Sequence, residues 1–152
     1  MQKTSIVILF FLNFVLSVNA QNKVENLDNL NPQKPLIEKT IEIYFDGWMT
    51  GDTLKLGKVM HSTCNLKNIK DNQVVVIDRK NYLSRFKLRQ KLENTSCRII
   101  NIDITGNIAA AKCQIETPKL LFTDYFNMMK LKNEWYIIDK ISANVDKTKI
   151  SN

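Results

Sequence analysis

Residues 120–141 read LLFTDYFNMMKLKNEWYIIDKI. Two apolar, aromatic-rich runs, Leu120–Leu131 and Trp135–Ile141, flank a polar break at Lys132, Asn133 and Glu134. That is the pattern of a long antiparallel hairpin, with Asn133 able to take the left-handed φ that the turn needs. In the first run, Leu120, Phe122, Phe126 and Met128 share one parity, and Leu121, Tyr125, Met129 and Leu131 the other. A sheet with one wet face alternates apolar with polar. This run is apolar on both faces, so its outer face needs cover. A homodimer packed through the outer sheet face would supply it, with the tail or the lead-in folded over that face as the alternative.

Immediately upstream, Ile100, Ile102 and Ile104 alternate with polar residues before Gly106-Asn107, a two-residue turn. Ala109, Ala111, Cys113 and Ile115 alternate after it. Pairing Thr105 with Ile108 sets Ile102 opposite Ala111 and Ile100 opposite Cys113, so the apolar faces coincide. The same parity sends Cys97 to the other face, and a Cys97–Cys113 bridge would need a bulge.

Toward the N-terminus, Ile37, Ile41, Tyr44, Phe45 and Trp48 fall on one face of a helix over Leu36–Met49, with Pro35 suited to its first turn. Gly51 is placed to end it, and Asp52 or Thr53 caps a second helix through Met60. His61–Ile69 and Gln73–Ile77 read as strands around an Asp71-Asn72 turn. Asp78 caps a third helix expected over Arg79 to about Leu92, with Tyr82, Leu83 and Phe86 inward. The order is α-α-β-β-α-β-β-β-β, an α+β domain over residues 36–145.

The ends of the chain read differently. Residues 1–20 carry Lys3, an apolar run from Ile6 to Val18 and small residues at Val18 and Ala20, the pattern of a signal peptide cleaved near Ala20. The apolar run is too short for a stable membrane anchor. The expected localisation is therefore secreted or periplasmic. Residues 21–35 form a flexible lead-in, and 146–152 a polar, frayed tail.

Composition narrows the function. Twenty-two Lys+Arg against 15 Asp+Glu give a net charge of +7. An exported chain seldom meets nucleic acid, so nucleic acid is not an expected partner. Arg79, Lys80, Arg85, Lys87, Arg89 and Lys91 read as a solvated basic face. One His and three cysteines (Cys64, Cys97, Cys113) without a CxxC build no metal site, and no cofactor is expected.

The set Tyr44-Phe45-Asp46-Gly47-Trp48 with Thr50-Gly51-Asp52, then His61, then Thr123-Asp124-Tyr125-Phe126 running on to Glu134-Trp135, resembles the nuclear transport factor 2-like superfamily. Within it, the chain is similar to the lumazine-binding group. The resemblance implies a cone in which a curved antiparallel sheet wraps N-terminal helices around a cavity, and a small organic ligand within it. It places Tyr44, Trp48, Phe86 and Phe126 on a slot for a flat or apolar molecule, with His61 and Asp124 on the wall or rim. Superfamily enzymes such as ketosteroid isomerase place an Asp or a His–Asp pair in that position. A buried pair of this kind has its pKa moved toward the working pH. Three readings stay open: a ligand binder, a dehydratase, isomerase or cyclase using Asp124 and His61, and a non-catalytic dimeric module.

Overall fold

The computed structural model describes residues 31–149. The expected signal peptide, most of the lead-in and the last three residues lie outside the described residues. Among the described residues no helix is long and apolar enough to cross a membrane.

Helix α1 spans Lys34–Thr50 and opens with Pro35 in its first turn. Its apolar stripe is buried as expected, with Ile37, Ile41 and Tyr44 fully inaccessible. Each such side chain contributes about 1.5–3 kcal/mol of burial. Trp48 is the exception, only half-buried and packed edge-on against Phe122 at 5.6 Å. Gly51 ends α1 with φ 66°, and a Cβ there would lie 2.0 Å from the Lys87 carbonyl oxygen. Asp52 then caps α2 (Thr53–Val59), accepting from the Leu54 and Lys55 N–H groups.

Strands β1 (Met60–Lys70) and β2 (Gln73–Asp78) form the first hairpin. Asp78 caps α3 by accepting from the Asn81 N–H, but α3 covers only Arg79–Leu83, not the expected run to Leu92. The following residues turn back on α1 instead. Arg89 N–H donates to the Thr50 carbonyl and Leu92 N–H to Met49, while the Arg89 guanidinium donates to Trp48. These are among the last carbonyls of α1, which have no partner inside the helix. Satisfying them outweighs continuing α3. Arg79 serves α2 likewise, donating to the Gly57 and Met60 carbonyls. Two members of the expected solvated basic face are thus helix caps.

Strands β3 (Ser96–Thr105), β4 (Ile108–Glu116), β5 (Leu120–Leu131) and β6 (Glu134–Asp146) complete one six-stranded sheet, ordered β2-β1-β6-β5-β4-β3. The architecture is α+β with a curved sheet, as expected. It is mixed rather than wholly antiparallel, because β1 lies parallel to β6. The β5–β6 turn is two residues, Lys132 and Asn133, both at positive φ. β6 outruns its expected end, and the chain just beyond it is tied down at Lys147, whose ammonium donates to Glu116 at 2.8 Å and whose N–H donates to the Lys119 carbonyl.

Two bulges decide which side chains face the helices. Ile100 is skipped between the pairs Ile99–Cys113 and Asn101–Lys112. It is exposed rather than opposite Cys113, and parity beyond it inverts, so Cys97 faces inward beside Ile115. All three cysteines are free. In β6, Ile138 is skipped between Asn127–Asp139 and Met128–Ile137. A bulge reverses the alternation and bends the strand. Here it turns Lys140 and Ser142 inward and Ile141 outward.

Candidate functional site

The concave face of β5 gives the site its axis. Phe122, Asp124, Phe126 and Met128 point inward, half-buried at Phe122 and 0–1% exposed beyond it. Phe122 is therefore at the rim and Met128 at the floor. Rows across the sheet follow from the register. The rim row is Cys97, Ile115, Phe122 and Asn144, and the next is Ile99, Cys113, Asp124 and Ser142. The third is Ile102, Ala111, Phe126, Lys140 and Leu66. Ala111 beside Phe126 leaves room for the ring.

Asp124 sits in an apolar wall and needs partners, because an isolated buried carboxylate is very costly. Lys140 Nζ donates to its Oδ1 at 2.7 Å and Ser142 Oγ to the same oxygen at 2.6 Å. Both side chains of the ion pair are almost inaccessible. Lys140 Nζ also lies 5.9 Å and 5.7 Å from the ring centres of Tyr44 and Tyr82, a cation–π arrangement. Those two phenols share a hydrogen bond of 2.7 Å. Burial lowers the Lys140 amine from its ordinary value, with Asp124 opposing the shift. Burial likewise raises both phenols and pushes the Cys64 and Cys113 thiols up to about 12. Such thiols are inert at neutral pH. The interior thus holds a carboxylate, an ammonium, a serine hydroxyl and two neutral phenols in one network.

The expected site residues divide. Tyr44, Phe126 and Asp124 come together, with Tyr44 and Phe126 edge-to-face at 4.9 Å. Phe86 packs on Tyr82 at 5.0 Å, and Trp48 on Phe122. His61 does not join them. Its Nδ1 hydrogen-bonds Thr63 and its ring meets Tyr136, while the described partners of Asp124 are Lys140 and Ser142. The His61–Asp124 pair is not formed, because Met60 pairs with Ile137, five residues along β6 from Ser142, and His61, next to the buried Met60, turns the other way against Tyr136.

Lys140, Ser142 and Tyr82 complete the network, and the sequence hides the first two. Counting back from the observed Lys132-Asn133 turn pairs Tyr125 with Lys140 and puts that lysine outside. Only the Ile138 bulge brings it in. Among the described residues no group of His, Cys, Asp and Glu could hold a metal. Surface concavities include a groove of about 290 Å³ on the convex face, lined by Thr105, Ile108, Asn127 and Met129.

The fold recurs in solved structures. A nuclear transport factor 2-like protein of unknown function from Shewanella baltica matches with TM-score 0.69 at 19% identity, over 76% of this chain and 95% of that one. One from Silicibacter pomeroyi matches with TM-score 0.68 at 13% identity, over 74% and 96%. A ketosteroid isomerase-like protein from Erwinia carotovora matches with TM-score 0.61 at 10% identity, over 76% and 98%. At these identities the likeness shows the fold. A search of curated proteins finds no match. The family model described as "Putative lumazine-binding" matches residues 32–142, most of the chain. The chain belongs to that family, and its fold is nuclear transport factor 2-like.

Proposed function

We propose that this chain is an exported protein, cleaved near Ala20, that binds a small, flat organic molecule of the lumazine type at the mouth of its cone. The observation that carries the reading is the buried Asp124–Lys140–Ser142 network, set one row below the half-buried Trp48–Phe122 pair. Buried charge is expensive and is often retained where it serves a ligand. A few fixed polar groups beneath an aromatic rim are the usual make-up of a small-molecule site. The family's description supports the ligand class. The enzyme reading is weaker: without His61 it rests on Asp124 alone, whose Oδ1 is already held by two donors.

The same protein is proposed to be a homodimer through the convex face. Ile108, Tyr125, Met129, Leu131 and Ile141 are 41–52% exposed there. A contiguous apolar patch of this kind marks an interface more often than a wet surface.

Native mass spectrometry of protein recovered from outside the producing cell tests these statements together. The expected spectrum shows a chain beginning at Gln21, twice the chain mass, and mass added on incubation with lumazine. Replacing Trp48 with Ala should weaken lumazine uptake about tenfold, the worth of one aromatic contact. An intact Met1, a monomer and no uptake would each remove the corresponding statement.

A further inference from the structure

One buried polar atom is left over by the network. Asn68 Oδ1 is cut off from water and has no hydrogen-bond partner among the described residues. Such an acceptor costs about 1–3 kcal/mol. Its place is informative. Asn68 follows Lys67, whose neighbour on β6 is Ile141, so it stands beside Ser142 on the concave face. Ser142 in turn pairs with Asp124. The row therefore runs Asn68, Ser142, Asp124 across three adjacent strands. Both hydrogen bonds to Asp124 end on Oδ1, which leaves Oδ2 able to accept.

Two acceptors thus flank a hydroxyl, their backbones two strand spacings or about 10 Å apart. With the side chains leaning inward, that spacing suits a ring edge on which two N–H groups diverge either side of a carbonyl. We infer that Asn68 and Asp124 form a subsite for a cyclic ureide edge, one N–H donating to Asn68 Oδ1 and the other to Asp124 Oδ2, with Ser142 between them. The inference rests on the ligand-binding reading above and sharpens it to one kind of ligand edge. It also runs against the chain's net charge of +7, which by itself would suggest an anion. The unfilled groups on this row are acceptors, and they select donors.

The test compares lumazine with 1,3-dimethyllumazine, which keeps the ring shape but blocks both N–H groups. The wild-type protein should bind lumazine about tenfold or more tightly than the methylated probe. Asn68→Leu should shrink that gap while raising the melting temperature of the ligand-free protein by about 2–6 °C, since an unpartnered polar group is removed. Asn68→Ala gives the same binding comparison if leucine does not fit. Equal binding of the two probes by the wild type overturns the ureide subsite but leaves the ligand-binding reading intact. Failure of both probes to bind overturns the two together. An Asn68→Leu variant, or Asn68→Ala where leucine does not fit, that keeps the wild-type gap between the two probes shows that Asn68 does not hold the ring edge, and overturns the subsite.

Discussion

The two faces of the β5–β6 hairpin both depart from the usual order of a sheet, each at a few positions. The concave face buries the Asp124–Lys140 pair among Phe126, Met128, Trp135 and Ile137, and the convex face exposes Tyr125, Met129, Leu131 and Ile141. One charged pair is thus inside, among apolar side chains, and several apolar side chains are outside. Stability alone would favour the opposite arrangement, because a buried ion pair is often matched or bettered by well-packed apolar residues. The difference teaches that the two faces serve different demands: the inner one holds groups in place, and the outer one leaves area to be covered.

The comparison breaks most severely when one half of the buried pair is removed. Asp124→Leu strands the Lys140 ammonium among Tyr44, Tyr82 and Phe126 and should cost about 3–5 kcal/mol in chemical denaturation. Adding Lys140→Met should recover most of that loss. A double variant as unstable as the single one would mean that the pair holds the fold by something other than mutual neutralisation.

A smaller effect comes from alkaline pH. Burial raises Cys64 and Cys113 from 9.0 to about 12, Cys97 to about 11, and Tyr44 and Tyr82 above their ordinary value. The folded protein holds these protons where the unfolded chain has released them. Their contribution is therefore complete below about pH 9 and is lost as pH rises toward 12. Lys140 runs the other way, because its lowered pKa makes the folded state release its proton first, but it is one group against five. Stability should fall from pH 9 upward. Cys113→Ala should lessen the slope by at most about 1.4 kcal/mol per pH unit, read from denaturation curves at successive pH values.

The smallest effect on stability belongs to the convex face. Tyr125→Glu with Ile141→Glu should change the unfolding free energy of the separated chain by about 0.5 kcal/mol or less per site, as surface substitutions do. The same pair should halve the mass measured by light scattering. Unchanged mass would mean that this face is not the dimer surface.

Much of this fold was legible in the sequence, because turns and caps are local demands. Gly51 at positive φ, Asp52 and Asp78 as caps, and the Gly106-Asn107 turn all stand where the residues placed them. The face of α1 carrying Ile37, Ile41 and Tyr44 was legible from its period. What stayed hidden was tertiary. α3 stops at Leu83 because the backbone beyond it is needed at the end of α1. The skipped residues Ile100 and Ile138 carry no mark of their own, since isoleucine suits either face of a strand. Asp124 was therefore readable as a residue of the inner wall, while Lys140 and Ser142, its actual partners, were not.

The parallel pairing of β1 with β6 has a consequence for how the chain assembles. β6 sits in the middle of the sheet but is the last strand to be made. Until it arrives, the hairpin of β1 and β2, with Ile69, Val74 and Val76 on its outer side, has nothing to join to the rest of the sheet. At about 5–20 residues per second, several seconds separate the emergence of β1 from that of β6. Such distant closure makes folding slow. The buried ion pair then forms in the closing step, when β6 brings Lys140 to Asp124, so the act that completes the sheet also completes the candidate site.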